Sequence, residues 1–204
     1  MTEQYFTQKP QSGHDERMIT DTINNIALKF KTDRGVFSKG KVDYGSKLLI
    51  ETFITQADIK AGDRILELGS GYGPVVIALA KSFPEVSLTG IEVNERALHL
   101  AQENAKINQV NHIEWQLADV TEVEFEKVYQ HVLTNPPIRA GKLMIQRFVT
   151  QAHHALDLNG SLWLVIQKKQ GAPSMRKHME TIFGNVERVA LNRGYWILKS
   201  QKKE

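Results

Sequence analysis

The sequence predicts a doubly wound α/β domain built on one mostly parallel sheet. From Gly62 onward, short apolar segments typical of buried strands alternate with segments of helical spacing, and this alternation favours parallel strands joined by crossover helices. Residues 161–167 form a nearly continuous apolar run, as expected of a strand covered on both faces. The last two extended segments flank Asn192-Arg193-Gly194, which predicts a closing hairpin. We therefore expect a Rossmann-like sheet of seven strands with an antiparallel hairpin strand at its C-terminal end.

The boundaries of the predicted helices are explained by single residues. Pro74 suits a first helical position, where no backbone donor is needed, and Pro84 ends that helix. Asn94 is a natural N-cap for the helix that follows it, and Asn159-Gly160 is expected to close a later one. The predicted helices cover 44–55, 74–83, 97–105, 143–156 and 173–183, and the predicted strands cover 25–31, 64–68, 86–93, 113–117, 128–134, 161–167, 186–191 and 195–200.

The chain divides into three stretches. Residues 1–22 are polar and lack periodicity, and we expect them to form a flexible N-terminal arm. Residues 23–60 are expected to form one strand and one helix that precede the core, and residues 61–204 to form the Rossmann-like core itself. A total of 204 residues suits one sizeable α/β domain and is short for two, so 23–204 is expected to fold as a single domain.

Composition excludes several kinds of chemistry. No apolar run approaches the roughly 20 residues that cross a bilayer, and the N-terminus lacks the apolar segment of a signal peptide. We therefore expect a cytoplasmic protein without a membrane partner. The absence of cysteine rules out disulfides, thiolate zinc sites and a cysteine nucleophile, and His153-His154 lacks carboxylate partners at ligand spacing, so no metal is expected. A net charge of +3 is compatible with a nucleic-acid partner without requiring one.

A glycine-rich turn is predicted where the strand at 64–68 meets the next helix. Gly69, Gly71 and Gly73 carry no Cβ, so a ligand can approach this backbone closely. Dinucleotide-binding turns usually read G-x-G-x-x-G and hold a pyrophosphate, which the carboxylate of Glu67 would repel. That carboxylate suits the amino group of S-adenosyl-L-methionine instead. Glu67 and the three glycines are therefore candidate cofactor-binding residues.

Acidic residues also follow the next two strands of the predicted sheet. Glu92 ends its strand about twenty residues after the glycine turn, where an acidic residue bonds ribose hydroxyls. Asp119 follows the third strand and is placed for the adenine amine. Both are candidate cofactor-binding residues, and the alternative is that they are simply polar residues at strand ends.

An Asn-Pro-Pro segment follows the apolar strand at 128–134. The exocyclic amine of a purine is a poor nucleophile, because its lone pair is delocalised into the ring. The side-chain oxygen of Asn135 and the carbonyl of Pro136 can accept its two N–H groups and leave the lone pair free for in-line attack, while Pro137 stiffens the loop. Asn135, Pro136, Pro137 and Ile138 are the candidate catalytic residues, with Asn135 also beside the cofactor. The alternative is a strand-terminating turn.

Four motifs together resemble the class I S-adenosylmethionine-dependent methyltransferases, and among them the ribosomal RNA small subunit methyltransferase C family. The matching segments are 35–38, 43–49, 67–73 and 135–141, within a resemblance that spans about residue 24 to the end. It implies methylation of guanine N2 in 16S ribosomal RNA, with S-adenosyl-L-methionine as cofactor and ribosomal RNA, free or within the small subunit, as partner. Longer members carry a degenerate N-terminal copy of the domain that this sequence lacks, so we expect other surfaces to dock the substrate. The oligomeric state is left open.

Cationic and aromatic residues near these motifs are the candidate substrate-binding residues. Many amino-methyltransferases carry an aromatic residue where this chain has an isoleucine, so stacking on the base is expected from Phe37 or the guanidinium plane of Arg139. Lys142 accompanies Arg139 as a candidate phosphate contact. Family analogy and position after a strand favour an RNA-facing role for Lys168 and Lys169. The alternatives are core packing for Phe37 and a solvated loop for the two lysines.

Three other functions share some of these features. A protein glutamine N5-methyltransferase uses a similar Asn-Pro-Pro clamp but normally continues with tyrosine, and Ile138 argues against it. A non-catalytic RNA-binding module on a decayed methyltransferase fold would not need the intact glycine turn with Glu67 and Asn135. A DNA adenine methyltransferase would usually bring a target-recognition domain, for which there is no room.

Overall fold

A computed structural model describes residues 7–8, 13–126 and 128–204. Its elements follow one another as β1 (Arg17–Ile23), β2 (Ile26–Thr32), α1 (Tyr44–Gln56), β3 (Arg64–Leu68), α2 (Pro74–Ser82), β4 (Ser87–Glu92), α3 (Glu95–Ile107), β5 (Ile113–Leu117), β6 (Tyr129–Thr134), α4 (Lys142–Ala155), β7 (Leu156–Gln167), α5 (Ala172–Phe183), β8 (Glu187–Asn192) and β9 (Tyr195–Gln201). Short 3₁₀ turns at Ile138–Ala140 and Lys168–Gln170 follow β6 and β7.

The main sheet has seven strands in the order β5-β4-β3-β6-β7-β9-β8. Strands β3 to β7 pair in parallel, whereas β9 is antiparallel to both β7 and β8. The predicted fold class is therefore confirmed. The chain moves outward from β3 to β5 and then returns to place β6 on the other side of β3. Ligands of doubly wound sheets bind at such a reversal, outside the carboxyl ends of the strands.

Each face of the sheet is covered by its own hydrophobic cluster. On one face α1, α2, α3 and the β1–β2 hairpin cover side chains that include Trp163, whose ring meets Phe53 of α1 edge to face at 5.3 Å. On the other face α4 and α5 contribute Phe148, Val149 and Met179. Strand β7 has apolar residues on both faces because it lies between these clusters, as its continuous apolar run indicates.

The expectation of a flexible arm over 1–22 is wrong for its last part, because residues 17–23 form β1. This strand pairs antiparallel with β2 through a two-residue turn at Asn24 and Asn25, which both have positive φ. Asparagine tolerates that conformation, and the turn matches the twist of a hairpin. Only Ile19 and Ile23 of β1 face the core, so apolar alternation was too sparse to predict it. The predicted arm at 1–6 and 9–12 lies outside the described residues.

A second correction concerns Asn159-Gly160, which does not cap α4. Helix α4 ends at Ala155, and Leu156 is already extended and pairs with Tyr129. Residues 159 and 160 form an irregularity inside β7, held by bonds between their backbone and that of Lys202. The Asn-Gly pair indicates a positive φ, which Asn159 has, but helix ends and strand irregularities both use that signal. The other predicted elements agree with the structure within a few residues at their ends. Among the described residues, no helix combines the length and apolarity needed to cross a bilayer.

Candidate active site

A cavity of about 510 Å³ lies at the carboxyl edge of the sheet, where the strand order reverses. The ends of β3, β4 and β6 form its floor, and the N-terminus of α1 forms part of its wall. It brings together residues that are far apart in sequence, from Val36 before α1 to Tyr195 on β9.

The glycine turn after β3 is tightly folded against β4. The backbone N–H groups of Gly69 and Ser70 both donate to the carbonyl of Ile91 at 2.9 Å, and Gly71 N–H donates to the Glu92 carboxylate at 2.7 Å. Gly71 has a φ of +56°, and a Cβ built there would meet no heavy atom within 4 Å. The turn therefore leaves open space beside its backbone, into which a ligand fits.

Two buried carboxylates face each other across this turn. Glu67 is 3% exposed and accepts a hydrogen bond from Val76 N–H, in the first turn of α2, at 3.1 Å. Glu92 is 6% exposed, and its second oxygen accepts from Asn94 N–H at 2.9 Å. Burial raises the pKa of Glu67 well above its ordinary value, and the charge of Glu92 adds to the rise. Burial also raises the pKa of Glu92, although backbone donors offset part of that effect.

No lysine or arginine of the described chain pairs with either carboxylate. Buried acidic groups without a cation are costly unless a ligand compensates them. The hydroxyl of Ser70, also on the cavity wall, is buried and has no hydrogen-bond partner among the described residues. Two carboxylates that accept hydrogen bonds and one hydroxyl fit a ligand that carries an ammonium group and hydroxyls.

Asp119 lies on the same wall, after β5. One of its carboxylate oxygens accepts from both the N–H and the hydroxyl of Thr121, each at 2.8 Å. These bonds fix the rotamer and leave the other oxygen to accept from a ligand. Asp119 therefore stabilises a local turn at the end of its strand, as a simple polar strand-end residue would. That role is compatible with ligand binding by its other oxygen.

The Asn-Pro-Pro segment follows β6, the neighbour of β3 in the sheet, and lines the same cavity as the glycine turn. Thr134 ties the end of β6 to β3, since its hydroxyl donates to the carbonyl of Leu68 at 2.8 Å. The side-chain nitrogen of Asn135 donates to the Asp43 carboxylate at 3.1 Å and to the Ser46 hydroxyl at 2.9 Å. The carbonyl of Pro137 is engaged in the following 3₁₀ turn.

Most of the candidate residues line this one cavity. Those that line it are Phe37, Glu67, Gly69, Gly71, Glu92, Asp119, Asn135, Pro136, Pro137, Ile138 and Arg139.

Four candidates lie outside the cavity lining. Gly73 is the N-cap of α2 with a φ of +95°, and a Cβ there would lie 2.8 Å from the side chain of Ile77, so its role in the structure is to start the helix. Lys142 is exposed at the first position of α4. Lys168 and Lys169 are exposed in the 3₁₀ turn after β7, beside a cavity-lining glutamine.

Several polar residues of the cavity lining received no site role from the sequence, among them Asp43, Ser46 and Tyr195. Asp43 and Ser46 belong to the matching segment at 43–49. The available signal was that an aspartate directly before a helical segment is a common N-cap, which Asp43 is. Tyr195 opens β9. Because β9 is antiparallel to β7, its first residue lies at this edge of the sheet, paired with Gln167. The sequence predictions considered only residues at the carboxyl ends of parallel strands, so they missed Tyr195.

One other cluster has the composition of a metal site. His14, Glu16 and Asp33 place ligand atoms within 4.8 Å of one another. The Asp33 carboxylate already accepts from His14 and from the backbone N–H groups of Asp15 and Arg34. None of these residues lines the cavity, and the cluster ties the start of β1 to the end of β2.

Comparison with known proteins places the chain in a family. The model of the methyltransferase small domain matches residues 27–199. The protein YbxB of Bacillus subtilis (strain 168) is 38% identical over 203 residues, which cover 99% of this chain and 100% of that protein. Ribosomal RNA small subunit methyltransferase C of Colwellia psychrerythraea (strain 34H) is 28% identical over 187 residues, which cover 88% of this chain and 49% of that protein.

A solved structure shares the fold with the same partial coverage. The 16S rRNA N2 methyltransferase RsmC of T. thermophilus, in complex with AdoMet and guanosine, has a TM-score of 0.82 at 26% identity, covering 95% of this chain and 52% of that one. The chain thus spans about half the length of these ribosomal RNA methyltransferases. The matches confirm the resemblance predicted from the sequence motifs. The chain belongs to the methyltransferase small domain family of class I methyltransferases, whose cofactor is S-adenosyl-L-methionine.

Proposed function

We propose that this protein methylates an exocyclic amine of ribosomal RNA, and that its target is guanine N2 in 16S ribosomal RNA. The observation that carries the proposal is that buried acidic residues and an Asn-Pro-Pro segment line the same cavity. The acidic residues suit a cationic cofactor, and the Asn-Pro-Pro segment offers oxygens to an amine. A relative named ribosomal RNA small subunit methyltransferase C and a solved structure named a 16S rRNA N2 methyltransferase support the choice of substrate.

The cofactor residues have complementary chemistry. Glu67, with no cationic partner of its own among the described residues, would pair with the amino group of the methionine tail. Glu92 keeps lone pairs for ribose hydroxyls after binding Gly71 and Asn94, because an ionised carboxylate has about four acceptor sites. The free oxygen of Asp119 would accept from the adenine amine. When bound, the cofactor supplies an electrophilic methyl group.

Two oxygens are available to hold the target amine. The side-chain oxygen of Asn135 is left to accept, because both N–H groups of that amide are engaged. The carbonyl of Pro136 accepts no bond from the described residues. Each acceptor contributes about 1–3 kcal/mol, and alignment of nitrogen with the methyl contributes up to roughly 7–11 kcal/mol. Positioning therefore dominates, and the proton lost from nitrogen can pass to water without a strong base.

Aromatic and cationic groups around the mouth suit a nucleic acid. Phe37 is 40% exposed on the cavity wall, so packing in the core does not account for it. Tyr195 adds a second ring there, and both suit stacking on a base. Lys142 occupies the start of α4, where a cation opposes the helix dipole. Contact between a phosphate and Lys142, together with the nearby Arg139, would account for a lysine at this unfavourable position. Lys168 and Lys169, exposed in the turn after β7 and next to the cavity-lining Gln170, would add further phosphate contacts.

Mass mapping of methylated nucleosides tests the proposal. The protein and isotope-labelled cofactor are incubated separately with 16S ribosomal RNA, 23S ribosomal RNA, assembled subunits and a mixture of proteins with exposed glutamines. We expect labelled N2-methylguanosine in 16S ribosomal RNA or the small subunit, and its loss in the Asn135→Ala variant. Label on a glutamine side chain would establish the protein methyltransferase alternative. Cofactor binding without transfer to any substrate would favour the non-catalytic module.

A further inference from the structure

We propose that Asp43 and Ser46 are positioning residues that hold the side-chain amide of Asn135 in one orientation, with its oxygen directed at the target nitrogen. The inference rests on the proposed function, since it assigns a task to the acceptor that the methylated amine needs. Its basis is the pair of hydrogen bonds from Asn135 Nδ2, to Asp43 Oδ2 at 3.1 Å and to Ser46 Oγ at 2.9 Å. These residues lie about ninety positions apart in sequence, so the contact exists only in the folded chain.

The orientation is unique because of the chemistry of a carboxylate. An asparagine side chain can rotate by 180° and exchange its oxygen for its NH₂ group, and only hydrogen bonding distinguishes the two. An ionised Asp43 accepts hydrogen bonds and donates none. Rotation of Asn135 would therefore place its oxygen against the carboxylate of Asp43, with two acceptors in contact and the hydrogen bond between these side chains lost, at an energetic cost. The Asn135 amide therefore has one preferred orientation, with its oxygen directed away from Asp43.

Asp43 is itself held by the start of α1. It is the N-cap of that helix, and its carboxylate also accepts from Ser46 N–H at 3.1 Å. A Cβ at Gly45 would lie 2.9 Å from Asp43 Oδ2 and 2.9 Å from the ring of Tyr195, so only glycine leaves the carboxylate where it is. The helix is anchored by fully buried residues such as Phe53. The packed core thus fixes the position of α1, α1 fixes Asp43, and Asp43 fixes the side chain of Asn135.

The charge of Asp43 adds an electrostatic effect. The amine nitrogen becomes positively charged as the new N–C bond forms, before its proton leaves. A carboxylate behind the amide polarises Asn135 and strengthens its oxygen as an acceptor, because hydrogen bonds in series reinforce one another. Preorganised groups aimed at developing charge are most effective in the transition state. Asp43 should therefore affect the rate of transfer more than the binding of either substrate.

Substitutions at both positions test the proposal. Asn and Asp are nearly equal as N-caps, so Asp43→Asn preserves the start of α1 while it removes the negative charge and replaces an obligatory acceptor by an amide that can also donate. Ser46→Ala removes the second acceptor of Asn135. We expect each to lower the single-turnover transfer rate roughly 10- to 100-fold, as for loss of a hydrogen bond to a charged group. Cofactor affinity and melting temperature should stay close to those of the wild type. Asp58→Asn, at an exposed carboxylate, is the control.

A second measurement needs no substrate. The Asn135 side-chain NH₂ signals are assigned by NMR through their absence in Asn135→Asp, and are then followed in the Asp43→Asn/Ser46→Ala double variant. We expect them to shift and to exchange faster with water. Unchanged signals, or transfer rates equal to those of the control, would overturn the positioning role. Adding Asp43→Asn to Asn135→Ala should cause no further loss, and an additional loss would equally contradict it. If the wild type transfers no methyl group while the signals shift, the proposed function fails but the positioning stands.

Discussion

The Glu67→Gln variant should bind S-adenosyl-L-methionine more weakly and yet be more stable than the wild type at alkaline pH. The wild-type carboxylate is 3% exposed and has one hydrogen-bond donor, Val76 N–H at 3.1 Å. Glutamine has the same shape and keeps an oxygen for that donor, so the substitution removes the charge alone. Without the charge, the fold is relieved of a buried anion, and the cofactor loses the partner of its amino group.

The pH dependence follows from the direction of the pKa shift. Burial, with the charge of Glu92, raises the pKa of Glu67 in the folded protein above its ordinary value of 4.5. A carboxyl group whose folded pKa is raised contributes stability that is fully present below the unfolded pKa and is lost as pH rises through the folded pKa. The glutamine side chain of the variant does not titrate. The difference in melting temperature, variant minus wild type, should therefore increase from pH 5 to pH 9.

The cost to the cofactor can be bounded. Removing one partner of a buried, hydrogen-bonded charge pair costs about 2–5 kcal/mol, which corresponds to a roughly 30- to 5,000-fold weaker affinity. Calorimetric titration at pH 8 measures the affinity, and thermal melts of the free protein across pH measure stability. Glu51→Gln, on the exposed face of α1, is the matched control. Equal affinity for variant and wild type, or a stability difference that does not change with pH, would refute the assignment of Glu67.

Three further predictions address other parts of the site. Asn135→Ala should keep cofactor affinity but lose most single-turnover transfer, because the acceptor acts on the amine and not on the cofactor. Arg139→Ala and Lys142→Ala should each weaken RNA binding and reduce the slope of log affinity against log salt by about 0.7–0.9, as expected for one phosphate contact. Gly73→Ala should lower the free energy of unfolding by roughly 2–4 kcal/mol in urea titrations, from left-handed strain together with overlap. Gly62→Ala, at φ +85° in open space, should lose only about 1–2 kcal/mol.

Each of these has an outcome that contradicts it. An unchanged transfer rate in Asn135→Ala would show that Asn135 does not hold the target amine. Salt slopes equal to the wild-type slope would show that Arg139 and Lys142 do not meet phosphates. Equal destabilisation at residues 62 and 73 would mean that the contact with Ile77 has no energetic effect.

Local signals made the positions of the acidic residues in the cavity predictable. A buried strand, a glycine turn and Pro74 at the start of a helix specify their structure within about ten residues, and Glu67 and Glu92 then fall at adjacent strand ends by topology alone. Asn135 was predictable for the same reason, since it directly follows β6. These residues are positioned by regular elements whose periods are visible in the sequence.

Features that depend on distant contacts were not predictable in this way. Strand β1 is defined by pairing with β2 and by packing of two isoleucines, and its own pattern is weak. The contact between Asp43 and Asn135 joins a helix start to a strand end, and no local pattern connects them. Tyr195 reaches the cavity only because β9 runs against its neighbours. In each case tertiary context decides the role of a residue whose local sequence allows several.

A crystal structure of the protein with S-adenosyl-L-methionine and guanosine tests the central claim most directly. We predict the methionine tail beside Glu67, the ribose at Glu92, and guanine N2 within about 2.7–3.2 Å of the side-chain oxygen of Asn135, with the methyl group between the two ligands. A cofactor bound away from the glycine turn, or a methyl group facing away from Asn135, would contradict the account.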